Sequence, residues 1–309
     1  MKPAKIDIGT PVADAIDWML HHWAGLFDAL GTILQTPVDA ITNGLEALNP
    51  LLLLAILVVI PLLLRRWGIA VFAALGFLLV QGMELWPQTL QSLSIVLVAT
   101  VISVLVGVPL GVWTARSKVV SSIVRPILDL MQTTPAFVYL IPAVFFFGVG
   151  TVPGVVATVV FAAAPAVRLT ELGIRQVDPE VVEAGNAFGS TRRQLLWRIQ
   201  LPLALPTIMT GINQVIMLAL SMVVVAGMAG ASGLGAVVTT AVTRLDIGAG
   251  VEGGLSVVIL AIYLDRVTSA IANPKSLRRR KSSGKATDIE ETKTLATVTP
   301  LDPEAVSAG

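Results

Sequence analysis

Long apolar runs separated by short polar turns set the pattern of this chain. Seven of them lie at about residues 46–64, 67–83, 92–114, 124–148, 152–167, 203–229 and 249–265. A helix of about 17–25 apolar residues crosses a hydrocarbon layer of roughly 30 Å. Inside that layer backbone polar groups find no water, so only helices or a closed barrel can span it. The runs lack the strict apolar–polar alternation of barrel strands. The pattern predicts an all-α membrane protein, a polytopic helical bundle with about seven transmembrane helices.

The two ends are patterned differently. In residues 11–35, Val12, Ile16, Met19, Leu20, Trp23, Leu26, Phe27, Leu30 and Leu34 recur at helical spacing, opposite a stripe of Asp14, Asp17, His21, Asp28, Thr32 and Gln35. That face predicts a helix lying in the membrane interface or against the bundle, as an anchor or as a platform for a partner. Residues 1–45 are therefore read as an extension carrying this helix, and 46–83 as two accessory spans. The tail, 271–309, is basic and polar with few large apolar residues, a composition that predicts disorder. Its "LRRRK" at 277–281 suits an orientation signal beside lipid headgroups.

Charge orients the spans. Of 21 Lys and Arg residues, all but Lys2, Lys5 and Arg244 fall on alternate connections or in the tail, leaving 18 on one side. The positive-inside rule assigns that side to the cytoplasm, placing the N-terminus outside and the C-terminus inside. Composition agrees with a membrane location: 55% of residues are hydrophobic and 13% charged, and the mean hydropathy is +0.82. A formal net charge of +1 implies no general attraction to nucleic acid, and the absence of cysteine removes thiol chemistry. His21 and His22, the only histidines, have no third ligand near them in sequence and are read as a solvated pair, with no metal site. The first long apolar run begins near Leu48, so no cleavable signal peptide is expected.

One polar segment interrupts the apolar pattern: "EAGNAFGSTRRQLLWRIQLPLALP", residues 183–206. Asp178 followed by Pro179 predicts a helix start, a side-chain acceptor and then a residue needing no amide partner. Val181, Val182, Ala184, Ala187 and Phe188 supply an apolar face, Gly189 permits a left-handed end, and Ser190 can cap the next helix. That second helix carries Arg192, Arg193, Leu195, Leu196 and Ile199, and Pro202 stands where the following span begins. Such a loop is either an ordinary amphipathic connection or a rigid knob that docks into another protein.

The spacing within this segment is that of a known motif. Glu183-Ala184-Gly185, then Gly189, then Ile199-Gln200-Leu201-Pro202 resembles the EAA loop of ABC-importer permeases, with Gly185 where that family has alanine. Glycine there loosens a helix by up to ~1 kcal/mol relative to alanine. The stretches "RPILDLMQTTPAFVYLIPAVFFFGVGTVPGVVAT" (125–158) and "MVVVAGMAGASGLGAVV" (222–238) are similar to glycine betaine/proline betaine permeases. The resemblance implies a five-helix type I importer core over residues 84–270, whose coupling loop, 178–202, docks on the ATP-hydrolysing subunit through Glu183, Ala184, Gly185, Gly189, Ile199, Leu201 and Pro202. It implies two ABC ATPase subunits, an extracytoplasmic betaine-binding protein and a permease homodimer in the inner membrane. Choline, carnitine or an amino acid remains open as the solute, and a secondary transporter is the alternative class. That class requires inverted repeats and intramembrane ion ligands, and no repeat is visible.

Two further clusters carry candidate chemistry. Asp129, Gln132, Thr133 and Thr134 stand directly before Pro135 in the fourth apolar run, with Tyr139 beyond it. A charge within the bilayer costs roughly 2.5–3.5 kcal/mol or more, so Asp129 should face the bundle, water or an interface. Pro135 predicts a kink, with the threonines satisfying freed carbonyls. These residues either line a translocation pathway or join helices. The glycines between 227 and 254 suit a short re-entrant element or simple close packing. No G-x-x-x-x-G-K-[ST] phosphate loop occurs, so the chain is expected to bind no cofactor itself, ATP and Mg being used by its partner, and to catalyse no reaction.

Overall fold

A computed structural model describes residues 9–272, and every regular element in it is helical. Twelve elements are labelled in chain order: α1 (Gly9–Glu46), α2 (Pro50–Leu63), α3 (Trp67–Gly82), α4 (Trp86–Arg116), α5 (Lys118–Thr133), α6 (Leu140–Phe147), α7 (Thr151–Arg175), α8 (Pro179–Ala187), α9 (Arg192–Gln194), α10 (Leu201–Met228), α11 (Leu234–Arg244) and α12 (Ile247–Ala272). The LRRRK segment and the rest of the tail from residue 273 lie outside the described residues.

Four helices are long and apolar enough to cross a membrane: α4, α7, the continuous stretch Arg192–Met228, and α12. Two bent pairs raise the number to six if each is counted as one span: α1 with α2, bent by 105°, and α5 with Ala136–Phe147, bent by 107°. About seven spans were expected, the fourth of them kinked at Pro135, and two of them take another form. The run at 46–64 does not begin a helix at 46, because α1 continues to Glu46. The chain then turns, and Asn49 accepts the Leu51 N–H at 2.9 Å to open α2 at Pro50. Only 14 residues long, α2 reaches about 21 Å and pairs with the 16-residue α3. The run at 124–148 is broken rather than kinked, because Pro135 supplies no N–H to continue the helix and biases Thr134 to the extended conformation it adopts.

At the centre, α4, α7 and α10 pack backbone to backbone. A methyl group on Gly111 of α4 would stand 2.7 Å from the Val167 carbonyl oxygen and 2.6 Å from the Thr170 Cβ of α7. Around this core Phe77, Trp86 and Tyr263 meet edge to face, with centroids 5.1 and 6.0 Å apart. The Tyr263 hydroxyl donates to the Leu57 carbonyl at 2.9 Å, tying α2 to α12. Helix α1 is longer than the predicted interfacial helix. Its first half exposes Trp18 and Trp23, whereas Val38 in its second half is buried with Ile95, Val98 and Val155.

The glycine-rich stretch after α10 forms a tight return. Gly227 and Gly235 touch through their backbones, Gly230 and Gly233 have φ of +84° and +101°, and α11 folds back between α10 and α12. The Leu234 N–H donates to Ser92 Oγ at 2.8 Å, fixing the return to α4.

Close approach at Gly111 has a direct test. Gly111→Ala forces atoms of a rigid backbone apart and is expected to destabilise the protein by about 1–3 kcal/mol. Gly82→Ala, at a site with nothing within 4 Å, should leave the thermal unfolding midpoint in detergent unchanged.

Candidate functional site

The knob between α7 and α10 is built from local signals. Asp178 accepts the Glu180 N–H at 2.9 Å, and Pro179 opens α8. The helix ends where Gly189 adopts φ +77°, with Gly189 N–H donating to Asn186 O and Ser190 N–H to Gly185 O. Thr191, not Ser190, caps the following helix. Its hydroxyl accepts the Gln194 N–H while the Gln194 side chain accepts the Thr191 N–H, a reciprocal capping box.

From Arg192 the helix runs without interruption through a wider turn at Leu195–Gln200 into α10. Pro202 would press its ring on the Arg198 carbonyl in a regular helix, and the widened turn immediately precedes it. Pro202 therefore lies inside a continuous helix and does not mark its start.

Gly185 is the buried residue of α8. A Cβ there would come 2.8 Å from both Ile199 Cδ1 and Leu195 Cδ1, so glycine lets the two halves of the knob close on each other. Both atoms are ends of flexible side chains, which explains how relatives of this motif can carry alanine at the same place. The apolar face divides differently from the expectation. Val182 is half-buried, while Ala184 and Ala187 are exposed and Phe188 is 91% exposed at the tip. Glu183 is exposed and lines a cavity of about 550 Å³ with Arg116, Arg175 and Arg192. Ile199 and Leu201 are half-buried at the base.

The polar cluster of the fourth apolar run sits at the end of α5. Asp129 pairs with Arg168 of α7. Thr133 and Thr134 donate to the Leu130 carbonyl at 3.2 and 2.8 Å, and the Tyr139 hydroxyl donates to the Met131 carbonyl at 2.9 Å. The Leu130 carbonyl also accepts the Thr134 N–H at 3.1 Å, whereas Pro135 offers no N–H to the Met131 carbonyl, and the Tyr139 hydroxyl takes that place. Gln132 is exposed.

Sequence reasoning missed the residue that organises this region. Glu171 of α7 is 3% exposed and accepts from Ser121 Oγ at 2.8 Å, Arg125 Nη2 at 3.0 Å and Arg175 Nη2 at 2.9 Å. Arg175 also donates to the Thr114 carbonyl of α4 at 3.0 Å. Glu171 with Arg125, and Arg168 with Asp129, make two rungs between α5 and α7 around a cavity of about 290 Å³. The signal was available: Glu171 is the sole acid in α7 and stands four residues before Arg175.

Residues 107–273 match the family described as binding-protein-dependent transport system inner membrane component. The chain belongs to this family. The permease is 50% identical over 272 residues to the glycine betaine transport system permease protein OpuAB of Bacillus subtilis, covering 87% of this chain and 96% of that one. It is 44% identical over 278 residues to the glycine betaine/proline betaine transport system permease protein ProW of Escherichia coli, covering 88% and 77%. Among solved structures, the MetNI methionine ABC transporter in an inward-facing conformation aligns with a TM-score of 0.55 at 20% identity, covering 59% of this chain and 91% of that chain. That likeness establishes the type I importer fold for the bundle.

The two rungs differ in burial, and removal of each should show it. Glu171→Ala leaves the buried Ser121 hydroxyl without its acceptor, while Arg125 and Arg175, 58% and 36% exposed, turn back to solvent; the expected cost is about 1–3 kcal/mol. Asp129→Ala breaks a pair whose side chains are 66% and 39% exposed, so its effect should stay within ~1 kcal/mol. Unfolding midpoints of the purified variants in one detergent give the comparison.

Proposed function

We propose that this permease is the membrane-spanning subunit of an ATP-driven importer of glycine betaine, proline betaine and related compatible solutes. The observation that carries the mechanism is the unbroken helix Arg192–Met228, 37 residues long. It begins in the knob at Gly189 and ends at the glycine return beside α11. At about 1.5 Å per residue it reaches roughly 55 Å, so a push on the knob moves the far end of the bundle as one body.

The basic connections face the cytoplasm by the positive-inside rule. The knob then meets an ABC ATPase subunit, one for each permease of a homodimer, and an extracytoplasmic binding protein delivers the solute to the opposite face. Phe188 is the anchor in this reading. An aromatic ring 91% exposed at the tip of a rigid turn suits an apolar socket, and Ala184 and Ala187 allow close approach beside it. The reciprocal cap at Thr191 and the packing of Gly185 keep the knob stiff enough to transmit force. Binding and hydrolysis of ATP with Mg belong to the partner. This chain converts the partner's movement into exposure of the solute path to alternate sides, with no covalent chemistry of its own.

Glycine betaine as solute rests on the relatives at 44–50% identity over most of the chain. Asp129, Gln132 and Tyr139 flank the break at Pro135 and are candidates for the path, the break allowing α5 and α6 to move separately.

The tests separate coupling from solute. Phe188→Glu and Gly189→Leu should abolish co-purification of the ATPase subunit and reduce uptake of labelled glycine betaine at least tenfold. Both should leave the amount of permease in the membrane unchanged. Full uptake by either variant overturns the docking role. Competition by excess choline that exceeds competition by proline betaine would reassign the solute.

A further inference from the structure

We propose that the permease holds one anionic phospholipid at a specific site on its basic face. The site lies between Arg66 and Arg266, with an acyl chain in each of two grooves that part at Ile262.

Arg66 precedes α3 and is half-buried, yet its guanidinium makes no hydrogen bond or ion pair among the described residues. Arg266, near the basic end of α12, has one weak partner, Asp265, at 3.8 Å. The two arginines line a single cavity of about 470 Å³ whose other walls, Gly68, Ile69, Phe72 and Ile262, present no charge. A second groove of about 320 Å³ starts from the same Arg266 and Ile262 and runs between α10 and α12 past Val258 and Met217. Ile262, Val258 and Met217 are 39%, 51% and 50% exposed.

Two apolar grooves diverging from one cationic mouth have the shape of a two-chain lipid with its phosphodiester at the top. The mouth carries a formal charge of +1, from Arg66 and Arg266 less Asp265. The Asp265 Oδ1 is already engaged by Asn213 Nδ2 at 3.0 Å. Trp67, adjacent to Arg66 and 73% exposed, marks this depth as the interface, where indole rings settle. The half-buried Arg66 and Arg266, whose side chain is 66% exposed, can each present a planar fork of donors to a doubly accepting phosphate. Free phosphate would satisfy the arginines but leave both grooves unfilled. A phospholipid fills both, and an anionic one balances the charge at the mouth that a zwitterion leaves.

The full-length permease purified in mild detergent, with its complex intact, is titrated with phosphatidylglycerol, phosphatidylcholine or inorganic phosphate and read by native mass spectrometry. One phosphatidylglycerol should remain bound per permease at activation energies that strip phosphatidylcholine, and phosphate alone should not be retained. The double substitution Arg66→Gln with Arg266→Gln should weaken retention at least tenfold, whereas Lys118→Gln, at an exposed basic residue opening α5, should not change it. Should the double variant fail to fold, Ile262→Trp blocks the junction of the grooves without altering charge and should give the same loss. The proposal falls under any of four results: equal retention of the two lipids, retention of phosphate alone, wild-type retention in Ile262→Trp, or cross-linking between permease copies through residues 66 and 266. The readout is binding, so a failure of the betaine assignment leaves this test unaffected.

Discussion

Lipid tails are as apolar as leucine, so nothing squeezes helices together inside a membrane as water does in a soluble core. The central helices of this permease must hold by touching closely and by exchanging polar contacts. At Gly111 the α4 backbone lies against that of α7 with no room for a methyl group. A few residues away, the buried carboxylate of Glu171 gathers Ser121, Arg125 and Arg175, and Arg175 reaches on to α4. Together these contacts fix α4, α5 and α7 near their basic ends. The knob and the broken helix both adjoin that clamp, following α7 and α5 directly in the chain.

The clamp also explains how a half-apolar helix is retained. Helix α5 buries only Ser121 and Leu128, too little to secure it by packing alone. Its two ionic rungs to α7 supply orientation instead. Because one rung is buried and the other exposed, they differ in how firmly they hold: the Asp129 end, next to the break at Pro135, is the looser one.

Much of this was legible from residues alone, and the exceptions share a cause. Asp178, Pro179 and Gly189 announced the knob because caps and left-handed turns are chosen by local chemistry. The long apolar runs announced the helices for the same reason. Pro135 was recognised as a perturbation, but whether a proline bends or ends a helix depends on what waits beyond it. Here Thr134 becomes extended and the chain leaves at 107°. The first apolar run was misplaced because hydropathy cannot see that α1 carries Val38 into the bundle before the chain turns. Ser190 and Thr191 are equally good caps on paper, and the partner Gln194 decides between them. Phe188 was grouped with Val181, Val182, Ala184 and Ala187 on one apolar face, yet Gly185, having no side chain, lets the knob close without it. Glu171 went unread because its partners lie 46 and 50 residues away as well as four.

The continuous helix from Arg192 to Met228 has a thermodynamic corollary. A stiff body spanning the protein makes its two ends one system, and coupling free energies are symmetric. If the proposed docking holds, a ligand that the far end of this helix senses would alter the affinity of the knob for its partner by the same factor by which the partner alters the affinity for that ligand. Signalling in such a device has no preferred direction. Only a coupled chemical reaction held far from equilibrium would give it one.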